Sequence, residues 1–348
     1  LTQRNPGDDA PQHGPRPLPL FLEMLRSETA AEPERMARAL AGLRRYQQAP
    51  RPRPVRPMPA RFRKGRARLR DYGGEGPVVV FVPSLINPPR VLDLTAETSL
   101  IRWVRAQGFR CWLLDWGEPR PADRALDVAR HVSERLVPLL AKLPEPPLLV
   151  GYCLGGTMAW AAAAIAPVAG VATIAAPWHF GDYPERDAIG DLWHAAQPAC
   201  DALGLVPMEV FQAGFWRLDP GRTIAKYEAL AAADDAAVAS FLALEDWANG
   251  GAPLTYAAGA ELFEGLIAAN RTGRGEWRVG ARVVDPRALS CPAVEFVSLS
   301  DRIVPAASAA GLAERRDLRA GHVGMVTGRE RMALWEPLGE WLKSVARG

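Results

Sequence analysis

The chain has 348 residues, enough to bury a large core and long for one simple domain, so an α/β domain with an inserted or appended part fits best. Forty-two lysines and arginines against thirty-nine acids leave +3, a balance that argues against nucleic acid as a partner. Cysteines at 111, 153, 200 and 291 form no C-x-x-C pair and read as reduced thiols. The five histidines make no ligand pattern, so no metal and no cofactor is expected. No apolar run approaches about eighteen residues and no charged-then-apolar leader opens the sequence, which points to a cytoplasmic protein without a transmembrane segment.

Residues 1–19, rich in Pro, Gly, Asp and Arg, predict a mobile tail. Apolar residues at three- and four-residue steps from Leu20 to Gln48 predict two short helices broken at Glu32-Pro33. A Pro/Arg linker, Arg51–Pro57, ends them. Nine basic residues and no acid lie between Arg51 and Arg70. They suit either an anion-binding surface or a solvated edge strand, and the alternation of Arg66–Arg70 favours the strand. A βα rhythm follows. Buried strands are predicted at 78–82, 111–114, 148–152, 170–175 and 292–297, with helices at 95–107, 123–142, 306–314 and 330–345. Residues 178–285 break this rhythm with scattered aromatics among alanine-rich stretches, and predict an inserted, mainly helical cap. The expected domains are 1–60 (tail, helices and linker), 61–177 with 286–348 (α/β core), and 178–285 (cap).

The segment Leu148–Trp160 is organised around Gly151-Tyr152-Cys153-Leu154-Gly155-Gly156. A short strand ends, one cysteine occupies a sharp turn between small residues, and a helix departs at once. This is the nucleophile-elbow pattern with cysteine in the usual serine place; the bland alternative is a buried structural cysteine. The Leu154 N–H, at the helix start, would face the nucleophile, and a second oxyanion donor is expected near Ile86, in the loop after strand 78–82. Asp301 and His322 each follow a later strand. Cys153, Asp301 and His322 thus stand in the order of an α/β-hydrolase triad, on a doubly wound, mostly parallel sheet. The imidazole would take the thiol proton and the acid would hold the imidazole. Asp301 could otherwise be a loop or helix-cap residue, and His322, between glycines, a turn residue. His179 is a lesser candidate for substrate contact.

With these residues in place the chain resembles the polyhydroxyalkanoate synthases. The likeness covers most of residues 75–345 and is carried by the box at Gly151–Gly156, Pro83 to Leu94, Leu114-Asp115-Trp116-Gly117, Leu244-Glu245-Asp246-Trp247, Asp301–Pro305 and Gly321-His322-Val323. The family often has histidine after the acid, where Arg302 stands here, and an aspartate-containing run at Trp178-His179-Phe180. The resemblance implies an acyltransferase that polymerises 3-hydroxyacyl-CoA through a thioester on Cys153, at the surface of polyester granules. Its partners would be the acyl-CoA, the growing polyester and a second synthase subunit or a homodimer. A cysteine hydrolase (thioesterase, lactonase or polyester depolymerase) and a non-catalytic granule-associated protein are the alternatives on the same fold.

Overall fold

The structure, a computed structural model, describes residues 14–51 and 57–347. Most of the expected tail and linker residues 52–56 lie outside the described residues. The chain divides into two compact units, Leu1–Val55 with Phe211–Gly250, and Arg56–Val210 with Gly251–Gly348.

The larger unit is built on eight strands: β1 Ala60–Lys64, β2 Ala67–Asp71, β3 Val78–Val82, β4 Arg110–Asp115, β5 Leu148–Tyr152, β6 Gly170–Ile174, β7 Ala293–Ser298 and β8 Arg315–Leu318. Their order across the sheet is β1-β2-β4-β3-β5-β6-β7-β8. The β1–β2 hairpin is antiparallel to itself and to β4; every other pairing is parallel. β3, β5 and β6 are buried along their whole length, as apolar runs covered on both faces must be. The order reverses beside β3, which has β4 on one side and β5 on the other, and the strands' carboxyl ends there open a crevice for residues carried by loops.

The basic stretch follows its blander reading where it is described. Arg68 and Arg70 of β2 pair with Asp115 at 3.1 and 2.6 Å, and Arg61 and Arg110 reach Asp71 at 3.5 and 3.6 Å. These charges tie an edge hairpin to β4.

Three helices depart from expectation, each for a local reason. The helix expected over 95–107 begins only at Leu100, where Ser99 Oγ accepts the Arg102 N–H at 3.1 Å. The helix expected over 123–142 runs from Val128 to Leu140 with a π segment at Val132–Leu136. Pro138 has no N–H to return to Glu134, and the Val137 N–H bonds five residues back to Val132. The helix expected over 306–314 is a single 3₁₀ turn, Ala306–Ser308. Beyond it the buried Glu295 carboxylate of β7 accepts the Ala310 and Leu312 N–H groups at 3.0 and 2.6 Å, which fixes an extended path. The last helix, Met332–Val345, buries Leu334, Trp335, Leu338, Trp341 and Leu342.

Residues 178–285 are mainly helical, and the part from Phe211 to Gly250 belongs to the smaller unit. That unit packs Leu18–Glu28 and Pro33–Gln48 with Pro220–Leu230 and Asp235–Ala248, around Phe21, Leu25, Tyr46, Ile224 and Tyr227. Gly42 lets two helices meet backbone to backbone: a Cβ there would lie 1.8 Å from the Tyr227 carbonyl oxygen. Glu245, buried, takes the Lys226 ammonium at 2.7 Å and the Tyr227 hydroxyl at 2.7 Å. Asp246 takes the Tyr46 hydroxyl at 2.6 Å and Arg51 Nε at 3.1 Å. The acids of the Leu244–Trp247 motif therefore hold this unit together.

Candidate active site

Cys153 joins β5 to the helix Leu154–Ile165 with φ 55° and ψ −134°, in a region that non-glycine residues rarely occupy. Such a backbone costs on the order of 1–3 kcal/mol and persists only where its surroundings hold it. Here the Cys153 N–H donates to the Ile174 carbonyl at 2.9 Å, and the Cys153 carbonyl accepts the Gly156 N–H at 2.8 Å. The flanking glycines are required by space. A Cβ at Gly151 would meet Gly156 Cα at 2.4 Å, one at Gly155 would meet the Val82 carbonyl oxygen at 2.1 Å, and one at Gly156 would meet Ala176 Cβ at 2.4 Å. The elbow is thus wedged among β3, β5 and β6, and its half-buried sulfur stands at their carboxyl ends.

Asp301 and His322 converge there from the loops after β7 and β8. The Asp301 side chain is wholly buried and both its oxygens are engaged. Oδ1 accepts the Ile303 and Val304 N–H groups at 2.8 and 3.0 Å, while Oδ2 accepts His322 Nδ1 at 2.6 Å. One Asp301 oxygen thus organises its own turn and the other holds the histidine. The Tyr152 hydroxyl donates to the His322 carbonyl at 3.2 Å, and the two rings lie 5.0 Å apart. Cys153 lies within electrostatic reach of the imidazole. Burial pulls the His322 pKa down, but Asp301 and Cys153 outweigh it and raise the group to about 10.

Leu154 is the first residue of its helix, so its N–H has no acceptor inside that helix and faces the turn that carries Cys153. Gly155 lies against Val82 and Pro83, which brings the 84–86 turn alongside the elbow. The Ile86 N–H already donates to Ser84 Oγ at 3.1 Å, so in this conformation it is engaged locally. His179 is pinned by its backbone: its N–H and that of Trp178 donate to the Ser308 carbonyl at 2.9 and 2.7 Å. Among the described residues its ring makes no hydrogen bond to Cys153, Asp301 or His322.

Two neighbours escaped the sequence reading. Tyr183 stacks on Phe180 with ring centres 5.3 Å apart and lies within electrostatic reach of Ser308, Cys153 and Asp301. Burial pushes its hydroxyl well above the ordinary tyrosine range, so it stays protonated. Nothing in the local pattern marked it, because it is delivered by an irregular segment after β6. Ser308 is the hub beneath, fixed by its hydroxyl on the Pro305 carbonyl at 2.7 Å. Among the described residues no three His, Cys, Asp or Glu side chains are grouped to hold a metal ion. No described helix is long and apolar enough to cross a membrane.

No family model matches the chain. It is 26% identical over 309 residues to the poly(3-hydroxyalkanoate) polymerase subunit PhaC of Haloferax mediterranei, covering 80% of this chain and 62% of the relative. It is 27% identical over 286 residues to the subunit of the same name from Allochromatium vinosum, covering 76% and 80%. The chain spans about three fifths of the length of the haloarchaeal relatives it matches. Among solved structures, BpoC of Mycobacterium tuberculosis superposes with a TM-score of 0.52 at 18% identity, over 80% of this chain and 95% of that one. By sequence the chain is similar to poly(3-hydroxyalkanoate) polymerase subunits, and its fold is the α/β-hydrolase fold.

Proposed function

We propose that the chain is an acyltransferase that joins 3-hydroxyacyl units from their CoA thioesters into polyester, using Cys153 as nucleophile. The observation that carries this reading is the relay Asp301–His322–Cys153 at the carboxyl ends of β5, β7 and β8, in a chain related to polymerase subunits.

His322, charged beside Asp301 and Cys153, already holds the thiol proton, and the Cys153 sulfur attacks the thioester carbonyl. A carbon–sulfur bond forms and the carbonyl oxygen becomes an oxyanion, met by the Leu154 N–H and a second donor from the 84–86 turn. Collapse breaks the bond to CoA, whose thiolate leaves with the proton from His322. The exchange of one thioester for another is nearly balanced, which suits a sulfur nucleophile. His322 then takes the proton of a 3-hydroxyl group from a second unit. That oxygen attacks the Cys153 thioester, an ester forms, and the cysteine sulfur is released and reprotonated by His322. Asp301 holds Nδ1–H throughout, so that Nε2 faces the chemistry. Association with a second subunit and with polyester granules belongs to the same proposal.

Turnover of 3-hydroxybutyryl-CoA decides between transfer and hydrolysis. The expected result is CoA release accompanied by polymer, with a second subunit supplied where the chain alone is slow. Stoichiometric free 3-hydroxybutyrate without polymer would replace this reading with a thioesterase, and no CoA release would overturn both.

A further inference from the structure

The elbow pattern specifies the nucleophile and the small residues around it, and leaves the position just before the nucleophile open. Here that position is Tyr152, the last residue of β5, 3% exposed and paired with Ile174 of β6. Its hydroxyl reaches out of the sheet to the loop after β8, which carries His322.

The two loops that meet there are held in different ways. Cβ atoms at Gly151, Gly155 and Gly156 would collide with their neighbours, so the elbow is wedged in place. At Gly321 and Gly324, on either side of His322, a Cβ would have no described atom within 4 Å. This loop is not wedged, and hydrogen bonds must hold it. Ser300 Oγ donates to the Arg319 carbonyl and Ser298 Oγ to the Ala320 carbonyl, each at 2.6 Å, and both contacts end before the histidine. Past it, the Met325 N–H returns to the Gly321 carbonyl at 3.0 Å. At the histidine itself the anchor is Tyr152, whose hydroxyl donates to the His322 carbonyl at 3.2 Å. Burial holds this phenol well above the ordinary tyrosine range, so the donor does not titrate near neutral pH.

The ring has a second role. The Tyr152 and His322 rings lie 5.0 Å apart with their planes 34° from parallel. The groups facing the imidazole are Asp301 from the loop after β7, Cys153 from the elbow and Tyr152 from β5. Tyr183, from the segment after β6, lies within electrostatic reach of Cys153 and Asp301. Asp301 and Cys153 act on the imidazole through charge. Tyr152 offers the π cloud of a neighbouring ring, which attracts a cation without competing for its proton.

We propose that Tyr152 is a positioning residue for His322: its hydroxyl fixes the backbone that carries the imidazole, and its ring favours the imidazole in its protonated form. The inference rests on the Cys153–His322 relay of the reading above. It places the residue that sets the base one peptide bond from the nucleophile, so that one strand end locates both.

The test separates the hydroxyl from the ring. Tyr152→Phe keeps the ring and loses the donor: kcat with 3-hydroxybutyryl-CoA falls about tenfold, while KM and the His322 pKa stay at their wild-type values. Tyr152→Leu loses both: kcat falls further, and in nuclear magnetic resonance titrations the His322 pKa moves about one pH unit lower. Denaturant melts show whether each variant is folded, and Tyr152→Phe carries the test through its split of kcat from KM if Tyr152→Leu does not fold. An unchanged His322 pKa in folded Tyr152→Leu overturns the role of the ring. A kcat in Tyr152→Phe that drops only as its folded fraction drops overturns the role of the hydroxyl and leaves Tyr152 a core residue. If the wild-type protein releases no CoA, the acyltransferase reading fails, while the His322 titration in wild type and Tyr152→Leu still decides whether the ring acts on the imidazole.

Discussion

Two histidines of the larger unit, His322 and His131, share a residue type and a largely covered side chain, yet their environments drive them to opposite charge states. His322 meets a buried carboxylate at 2.6 Å and a cysteine sulfur, and is held protonated up to about 10. His131 meets a backbone carbonyl and has Arg135 nearby, and is held neutral down to about 4. Burial pulls both the same way; a neighbouring full negative charge reverses it, and a carbonyl dipole does not. The first histidine is equipped to take and return a proton, the second to accept a hydrogen bond without changing charge.

The strongest way to break this contrast is to remove the charge from Asp301. Asp301→Asn keeps the shape, but its amide can offer a donor where the imidazole needs an acceptor. Turnover is expected to fall by roughly 10³–10⁴-fold, as when a buried triad acid is neutralised. In nuclear magnetic resonance titrations the His322 pKa should drop below its ordinary value near 6.5, because burial is then less opposed. Retention of a high His322 pKa in this variant would mean that Asp301 is not what charges it.

A smaller effect appears in stability. His322 is raised in the folded state, so its contribution is complete below about pH 6.5 and is lost as pH rises through about 10. His131 is depressed, so its penalty is absent above about pH 6.5 and grows as pH falls toward 4. The alkaline limb is worth about 5 kcal/mol at most and the acid limb about 3 kcal/mol. Denaturant melts across pH should show His322→Gln flattening the alkaline limb and His131→Phe flattening the acid limb. Exchange of those two effects would contradict the assignment.

Much of the fold was legible because the strands speak locally. Val78–Val82, Leu148–Tyr152 and Gly170–Ile174 are short apolar runs bounded by turn residues, and the three site residues stand just past strands whose order could be counted. The site was legible because Cys153 lies between glycines that only close packing explains. The roles of the other acids were not. Asp93, which receives the Tyr72 hydroxyl and Arg102, and Asp115, Glu245 and Asp246 lie in motifs as suggestive as that of Asp301, and their partners come from distant segments. Tyr46 and Asp246 are 200 positions apart, and no periodicity links them. The pairing of the N-terminal helices with residues 211–250 is hidden for the same reason, since the contact at Gly42 shows only when Tyr227 is beside it. Pro138 and Glu295 changed helices through one or two hydrogen bonds, a scale below that of hydrophobic pattern.

The central claim is that Cys153 carries the acyl group, and intact mass spectrometry tests it most directly. The wild-type protein and Cys153→Ala are each incubated with 3-hydroxybutyryl-CoA and weighed over time. The account predicts an adduct of one or more 3-hydroxybutyryl units on the wild type, absent from Cys153→Ala and discharged by hydroxylamine. CoA release at the same rate by both proteins, or an adduct that persists in Cys153→Ala, would contradict it.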